Sequence, residues 1–487
     1  MVFPIAGGNE SKGYEISNSL RFNSADSAYL HITPSASNRD LFTISLWAKR
    51  SNLNTGARQV LFGVGNPGTS GQVGFEIRFD DSVGDGKLRI ADYVAGVGDH
   101  LMLKTNALFR DPSAWYHIVF AYDSAQGTDS DRAKVYVNGT QITSFATATY
   151  PSQNQDSAVG SNTKHLIGNH DGDGHDYNGY LTEVNYVDGA AKSPTDFGEF
   201  DDNGVWIPKK YTGTHGTNGF FLQFKQTGTS ANSSGIGADT SGNDNHLTPV
   251  NFAATDITED TCTNNFCTLN SLVASSPAPT LSEGNLLTTP TGNGWSNTGG
   301  TILIQDSGKW YAETVLTYVN GQSGTFGITE PTTANQNAYN NANQYAIVWQ
   351  DANVPRYVAT VSASGTEANK VNDEDPAVGD IFQVAYDADN GKIWFGKNNT
   401  WRTGNPSTDT SPTYSSITGD KVFHATNYRV SSGSTYTAQL VNFGQDGSFA
   451  GNKTAQGNSD ANGYGDFYYS PPSGYYALNT KNLAEFG

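Results

Sequence analysis

Phe42-Thr43-Ile44-Ser45-Leu46-Trp47-Ala48-Lys49 alternates apolar and polar residues. Successive side chains of a strand point to opposite faces, so this alternation gives one apolar face and one polar face. The stretch therefore predicts a half-buried strand. Ser19-Leu20-Arg21-Phe22 reads the same way before it, and Gln59-Val60-Leu61-Phe62, Gly74-Phe75-Glu76-Ile77-Arg78-Phe79, Lys87-Leu88-Arg89-Ile90 and Trp115–Tyr122 follow. Lys134-Val135-Tyr136-Val137 runs into Asn138-Gly139, the dipeptide best suited to a type I′ hairpin, whose central residues both need positive φ. His165-Leu166-Ile167-Gly168 and Tyr177–Tyr186 complete the set. Ser193-Pro194 places a capping residue before proline and predicts one short helical turn.

A chain of 487 residues exceeds one ordinary sandwich, because domains usually take about 100–200 residues, so two or three are expected. Its 54 Gly, 25 Tyr and 24 Phe favour short strands and tight turns over helices. The 36% hydrophobic content suffices for sandwiches, which need only every second strand residue to be apolar. The fold expected is all-β, with two antiparallel β-sandwich (jelly-roll) domains in tandem.

The second sandwich is read from Gly308–Leu316, Thr325-Phe326-Gly327-Ile328, Tyr345-Ala346-Ile347-Val348-Trp349 and the hairpin of Gly379–Asp387 with Lys392–Asn398. Leu440-Val441-Asn442-Phe443-Gly444 and Pro472–Leu478 close it. The expected organisation is an N-terminal arm at 1–13, a first sandwich at 14–200, a connector at 201–284 partly packed on it, and a second sandwich at 285–487. Ser275-Ser276-Pro277-Ala278-Pro279-Thr280 is the expected linker, since its prolines favour extended chain.

Ser19–Phe22, Phe42–Trp47, Trp115-Tyr116-His117-Ile118, Val135–Gly139 and Gly179–Val184 occur in the order found in laminin-G/concanavalin A-like lectin domains, which the region near 14–200 resembles. The region near 285–480 is similar to SPRY/B30.2 domains. The two in series, with Phe3-Pro4-Ile5-Ala6-Gly7-Gly8 and Phe109–His117, resemble structural proteins of tailed phages, especially marine ones. That resemblance implies a virion surface protein, a head or tail fibre or a capsid decoration, made in a host cytoplasm. It also implies other virion proteins as partners, a homo-oligomer, and attachment to host glycans.

The 28 basic residues against 47 acidic ones give a formal charge of −19, which repels nucleic acid and anionic membranes and attracts cations such as Ca²⁺. The N-terminus lacks the basic region and apolar run of a secretory signal, and no segment reaches the ~18 apolar residues of a membrane span. Cys262 and Cys267 are the only cysteines; a small disulfide and two free thiols are both open, and two thiols alone make no structural zinc site.

His170-Asp171-Gly172-Asp173-Gly174-His175-Asp176 is the densest cluster of potential ligands. Asp171, Asp173 and Asp176 on a flexible loop are candidate calcium ligands, with backbone carbonyls and water completing six to eight oxygens. An exposed turn explains the same letters. Zinc through His165, His170 and His175 is disfavoured, because five-residue spacing on a turn does not converge three imidazoles.

Trp401 stands in the polar stretch Lys397–Thr403, so Trp401, Asn399 and Arg402 are the candidate glycan or subunit contact. Trp349, Tyr357 and Trp295 are weaker candidates, and Trp47, Trp115, Trp310 and Trp394 are assigned to the core. Sandwich glycosidases need carboxylates alternating on one strand, but no Glu-x-Asp-x-Glu or Glu-x-Asp-x-x-Glu run occurs. Nucleophile-elbow, HExxH and P-loop motifs are also missing. The function expected is therefore binding and assembly, not catalysis; a free adhesion protein and a polysaccharide depolymerase are the alternatives.

Overall fold

The computed structural model describes residues 13–487 except 52, 54–55, 57, 66–73, 81–85, 95–97, 171–174, 335–343, 352–356, 363–365, 373 and 431–432, with backbone alone at 357, 366, 370 and 372. The described chain divides into two compact units at Thr263/Asn264. Each is a sandwich of antiparallel sheets.

In the N-terminal unit, sheet I runs Thr140–Ile142, Ala133–Val137, Trp115–Asp123, Leu41–Arg50, Gly179–Asp188, Ser19–Phe22, Ile257–Thr258, and Phe220–Leu222 also pairs with Gly179–Asp188. Sheet II runs Phe145–Thr149, Gly98–Leu108, Lys87–Val94, Gly74–Asp80, Arg58–Gly65, His165–Ile167, Tyr29–Ile32, Thr248–Val250. Between them lie the alternate residues of the strands, among them Leu20, Phe22, Ile44, Leu46, Ile77 and Ile118. The Asn138-Gly139 turn joins its strands with φ of 47° and 77°. Ser193 caps the short helical turn Pro194–Asp196.

Trp47 and Trp115 are buried, but not between the sheets. They occupy the outer face of sheet I with Tyr180 and Trp206. His117 lies between two indoles, 4.7 Å from Trp47 and 5.9 Å from Trp206 between ring centres. Trp206 Nε1–H donates to His117 Nδ1 (2.9 Å), so Nε2 carries the proton and donates to Ser45 Oγ (2.9 Å). Burial pushes this imidazole down to about 3 and keeps it neutral.

The segment covering that face is what the sequence presented as a connector. Strands Phe220–Leu222, Thr248–Val250 and Ile257–Thr258 pair with the first sandwich. Phe220, Leu222, Phe224, Ile236, Leu247 and Phe252 join its core. Lys49 Nζ meets Asp260 Oδ2 at 2.7 Å, both buried. The expected boundaries at 200 and 284 are thus displaced to 263. The physical reason is that an outer face bearing Trp47, Trp115 and Tyr180 must be covered, and sparse aromatics in a polar stretch do it.

In the C-terminal unit, sheet III runs Leu269–Ala274, Gly294–Gly300, Val422–Arg429, Ser323–Thr329, Tyr345–Gln350, Tyr357–Ser362, Thr366–Asn372. Sheet IV runs Thr280–Ser282, Leu287–Thr289, Thr437–Asn442, Lys309–Val319, Ile381–Asp387, Lys392–Lys397, Thr400–Trp401, with Tyr476–Ala477 parallel to Lys309–Val319. The expected linker at 275–280 is a turn inside this sandwich, between paired strands. Trp310 lies in the core between the sheets, and Trp394 is buried in a second cluster with Tyr311, Phe467 and Tyr475. Trp349, weighed as a ligand platform, is wholly buried and stacked on Phe382 at 4.8 Å. Thr480–Phe486 is the one α-helix among the described residues, and none there is long and apolar enough to cross a membrane.

Candidate functional site

Thr366–Asn372 and Thr400–Trp401, the last strands of sheets III and IV, both contribute residues to one groove of the second sandwich. Trp401 is presented by the hairpin of Lys392–Lys397 with Thr400–Trp401, turned by Asn398 and Asn399 at φ of 49° and 64°. Asparagine tolerates this left-handed region better than most residues. Asn398 locks the turn through its side chain: Ile381 N–H donates to Oδ1 (2.9 Å) and Nδ2 donates to Asp380 (2.8 Å). The N–H of Asn399 donates to Gln383 Oε1 (2.7 Å). Trp401 pairs with Gly396 and is half-buried against the Trp394–Tyr475–Phe467 cluster.

The ring belongs to the wall of an open groove of about 600 Å³. Asn369 and Val371 line it from the facing edge strand, with Lys397, Asn398 and Thr400 from the hairpin and Glu374 and Arg402 beside the ring. Val371 is 45% exposed, an apolar contact left open. Arg402 forks onto Glu374 with two bonds of 2.7 Å, and Lys397 bridges Glu374 (3.2 Å) and Asp380 (2.9 Å). Partial burial would raise the Glu374 carboxyl, but the Arg402 fork and Lys397 outweigh it and hold it below its ordinary value. Two cations and two carboxylates cancel. What remains is an indole and a valine beside amides, a hydroxyl and fixed charged hydrogen-bonding groups, a wall suited to a neutral, polyhydroxylated ring with an apolar face.

Two of the sequence candidates, Trp401 and Arg402, thus come together. Asn399 does not line the groove; Asn398 does. Glu374 and Val371 went unread, because their partners lie across the sheet edge and no local pattern marks them.

Of the calcium candidates, Asp171 and Asp173 lie outside the described residues. Asp176 accepts bonds from Asn169 Nδ2 (2.6 Å) and Ser27 Oγ (3.3 Å), and burial raises its carboxyl. His165 is turned to the core, with Nδ1 on Thr163 O (2.8 Å) and Nε2 accepting from Gly160 N–H (3.2 Å). It does not join His170 and His175, whose rings lie 4.3 Å apart. Among the described residues no three His, Cys, Asp or Glu gather as metal ligands. The candidate disulfide does not form: both cysteines are free. Cys262 packs on the Trp47–Trp206 cluster of the N-terminal unit and Cys267 lies in the core of the C-terminal unit, so each thiol serves its own cluster.

Glu76, Arg78 and Asp80 alternate on the outer face of Gly74–Asp80, opposite the core residues Phe75, Ile77 and Phe79. Glu76 is bound to Arg78 (2.6 Å) and Asp80 to Lys104 (3.0 Å), so both carboxylates are committed to ion pairs.

Residues 23–195 match the family model of the concanavalin A-like lectin/glucanases superfamily, of laminin-G type. The N-terminal unit has the laminin-G/concanavalin A-like lectin fold. No curated protein matches the chain. Solved structures with partial similarity include the SPRY domain of human HERC1, at 11% identity over 36% of this chain and 96% of that one, TM-score 0.27. A heptameric SAP-like pentraxin from Limulus polyphemus matches at 14%, over 37% and 80%, TM-score 0.26. Domain 4 of the arabinanase AbnA from Geobacillus stearothermophilus, in complex with arabinotriose, matches at 16%, over 39% and 82%, TM-score 0.24.

Proposed function

We propose that this chain is a carbohydrate-binding protein of a virion surface, a fibre or decoration whose C-terminal sandwich grips host glycan through the Trp401 groove. The observation that carries the binding half is a half-buried indole on a locked hairpin, facing an exposed valine and flanked by ion-paired Arg402 and Glu374. An indole face stacks on the C–H face of a sugar while planar side chains take its hydroxyls. The committed carboxylates on Gly74–Asp80 favour binding over hydrolysis. The virion half rests on the resemblance of the two-module order to tailed-phage structural proteins. In this reading the chain is a homo-oligomer anchored to other virion proteins.

Glycan-array screening followed by calorimetry tests the first half. Trp401→Ala should weaken binding of any positive oligosaccharide at least about tenfold, a loss of about 1.4 kcal/mol. Equal binding by the variant would exclude the groove, and an array without positives would exclude the reading. Mass spectrometry of purified particles tests the second half; absence of the chain ends it. Calcium at Asp171, Asp173 and Asp176 remains part of the proposal. EDTA should lower the melting temperature, and Asp173→Ala should remove that shift.

A further inference from the structure

Behind the Trp401 hairpin runs a chain of hydrogen bonds, part-buried at the turn and buried beyond it, ending on a carboxylate. Asn399 N–H donates to Gln383 Oε1 (2.7 Å), Gln383 Nε2 to Tyr311 Oη (2.9 Å), and Tyr311 Oη–H to Glu313 Oε1 (2.8 Å). The N–H groups of Tyr468 and Tyr469 also donate to Glu313, at 2.9 and 2.8 Å. Tyr311 and Glu313 are wholly buried and Gln383 nearly so.

The direction of every link is forced. A backbone N–H can only donate, so Gln383 must turn its oxygen to Asn399 and its amide nitrogen to Tyr311. The Tyr311 oxygen then accepts, and its single proton must go to Glu313. Three donors converge on one carboxyl, two on Oε1 and one on Oε2, and an anion accepts such bonds more strongly than a neutral acid, so an added proton weakens the hold on Tyr311.

We propose that Glu313, Tyr311 and Gln383 are positioning residues for the groove: the Glu313 carboxylate holds the Asn398-Asn399 turn through this chain, and proton uptake at Glu313 shifts the Trp401 ring. The inference deepens the glycan reading and rests on it for its consequence, a groove whose grip weakens as pH falls. Burial, partly offset by its three donors and reinforced by the nearby Asp466 charge, pushes Glu313 up to about 7. The groups facing it are Tyr311 on its own strand, Gln383 on Ile381–Asp387, Asn442 on Thr437–Asn442, and Asp466, Tyr468 and Tyr469 from the C-terminal segment. Asp466 is itself raised, chiefly by burial. Among the described residues no cation forms an ion pair with Glu313.

The test needs no ligand. In the full chain labelled with 5-fluorotryptophan, the Trp401 signal is assigned by its loss in Trp401→Phe and followed from about pH 5.5 to about pH 8. The wild-type signal should move with one midpoint near the Glu313 value, and Glu313→Gln should abolish the movement. Tyr311→Phe cuts the chain but leaves the carboxylate in place, so its Trp401 signal should also stay still. A still wild-type signal, or a Tyr311→Phe signal that moves like wild type, overturns the proposal; a folding defect in one variant leaves the other to decide. Where an array oligosaccharide binds through Trp401, its Kd should rise several-fold toward the acid end in wild type only. An array without positives would overturn the glycan reading and leave the fluorine experiment to judge the chain of bonds.

Discussion

Two hairpins in this molecule are built alike and used differently. Asn138-Gly139 and Asn398-Asn399 are both two-residue turns with positive φ throughout, and an indole lies against each hairpin. At the first, Trp206 comes from a distant segment, presses on Gly139, and is buried at 9% exposure with its N–H spent on His117. At the second, Trp401 follows directly on the turn and keeps part of its ring open to a groove. Whether a tryptophan near a turn stabilises or binds is decided by what else covers it.

The widest separation between the two should appear on truncation. Trp206→Ala removes the roof over His117 and the Trp47 face and should cost about 3–5 kcal/mol, read as a large fall in the denaturation midpoint. Trp401→Ala, already half-open, should cost about 1 kcal/mol of stability while removing sugar binding. Similar midpoints for the two variants would erase the distinction.

The strands around both hairpins were legible because period-two alternation is a local signal. The roof was not. Trp206, Phe220 and Asp260 stand far apart in a polar stretch, and their partners His117, Tyr186 and Lys49 are contributed by distant strands. Trp401 could be singled out because its neighbours in sequence are polar; Trp349, the weaker candidate in an apolar run, is covered by Phe382 from across the sandwich. Glu374, the anchor of Arg402, comes from a distant part of the chain and meets it beside the ring, a pairing that no local pattern marks.

The two units also carry one comparable buried carboxylate each. Glu183, beside the Tyr14 hydroxyl at 3.2 Å, and Glu313 are both pushed up to about 7, first of all by burial. A carboxylate whose folded value exceeds its unfolded one contributes stability that is fully present below about pH 4.5 and lost as pH rises through about 7. Each should be worth on the order of 3 kcal/mol over that window. The buried histidines work in the opposite sense: His117 at about 3 and His424 at about 4 support the fold above their unfolded value and lose that support as pH falls. Calorimetry of Glu183→Gln and Glu313→Gln against wild type isolates the carboxylates. Each variant should flatten the decline toward neutral pH in its own unit, and an unchanged slope would place the proton elsewhere. Acid should therefore strengthen the C-terminal unit through Glu313 while weakening its groove, an opposition that a purely structural Glu313 would not produce.

The smallest difference lies in the glycines beneath the two indoles. At Gly139, φ is +77° and an added methyl would stand 2.3 Å from the Trp206 ring, so Gly139→Ala must both strain the backbone and displace a buried indole. A loss of about 1–3 kcal/mol is expected. At Gly396 the methyl would meet the Trp401 ring edge, Gln383 Oε1 and Thr400 O at 3.2, 3.2 and 3.3 Å; the half-open ring can relieve the first by tilting, and the other two need shifts of a few tenths of an ångström. Gly396→Ala should change stability by under about 1 kcal/mol, since alanine is no worse than glycine in a strand. The tilt itself is the measurable effect: the ring leaves the angle set by the hairpin, and sugar affinity should fall several-fold with little change in melting. If affinity and melting instead fall together, as at Gly139, then the Trp401 ring is packed as Trp206 is, and the groove is not a site.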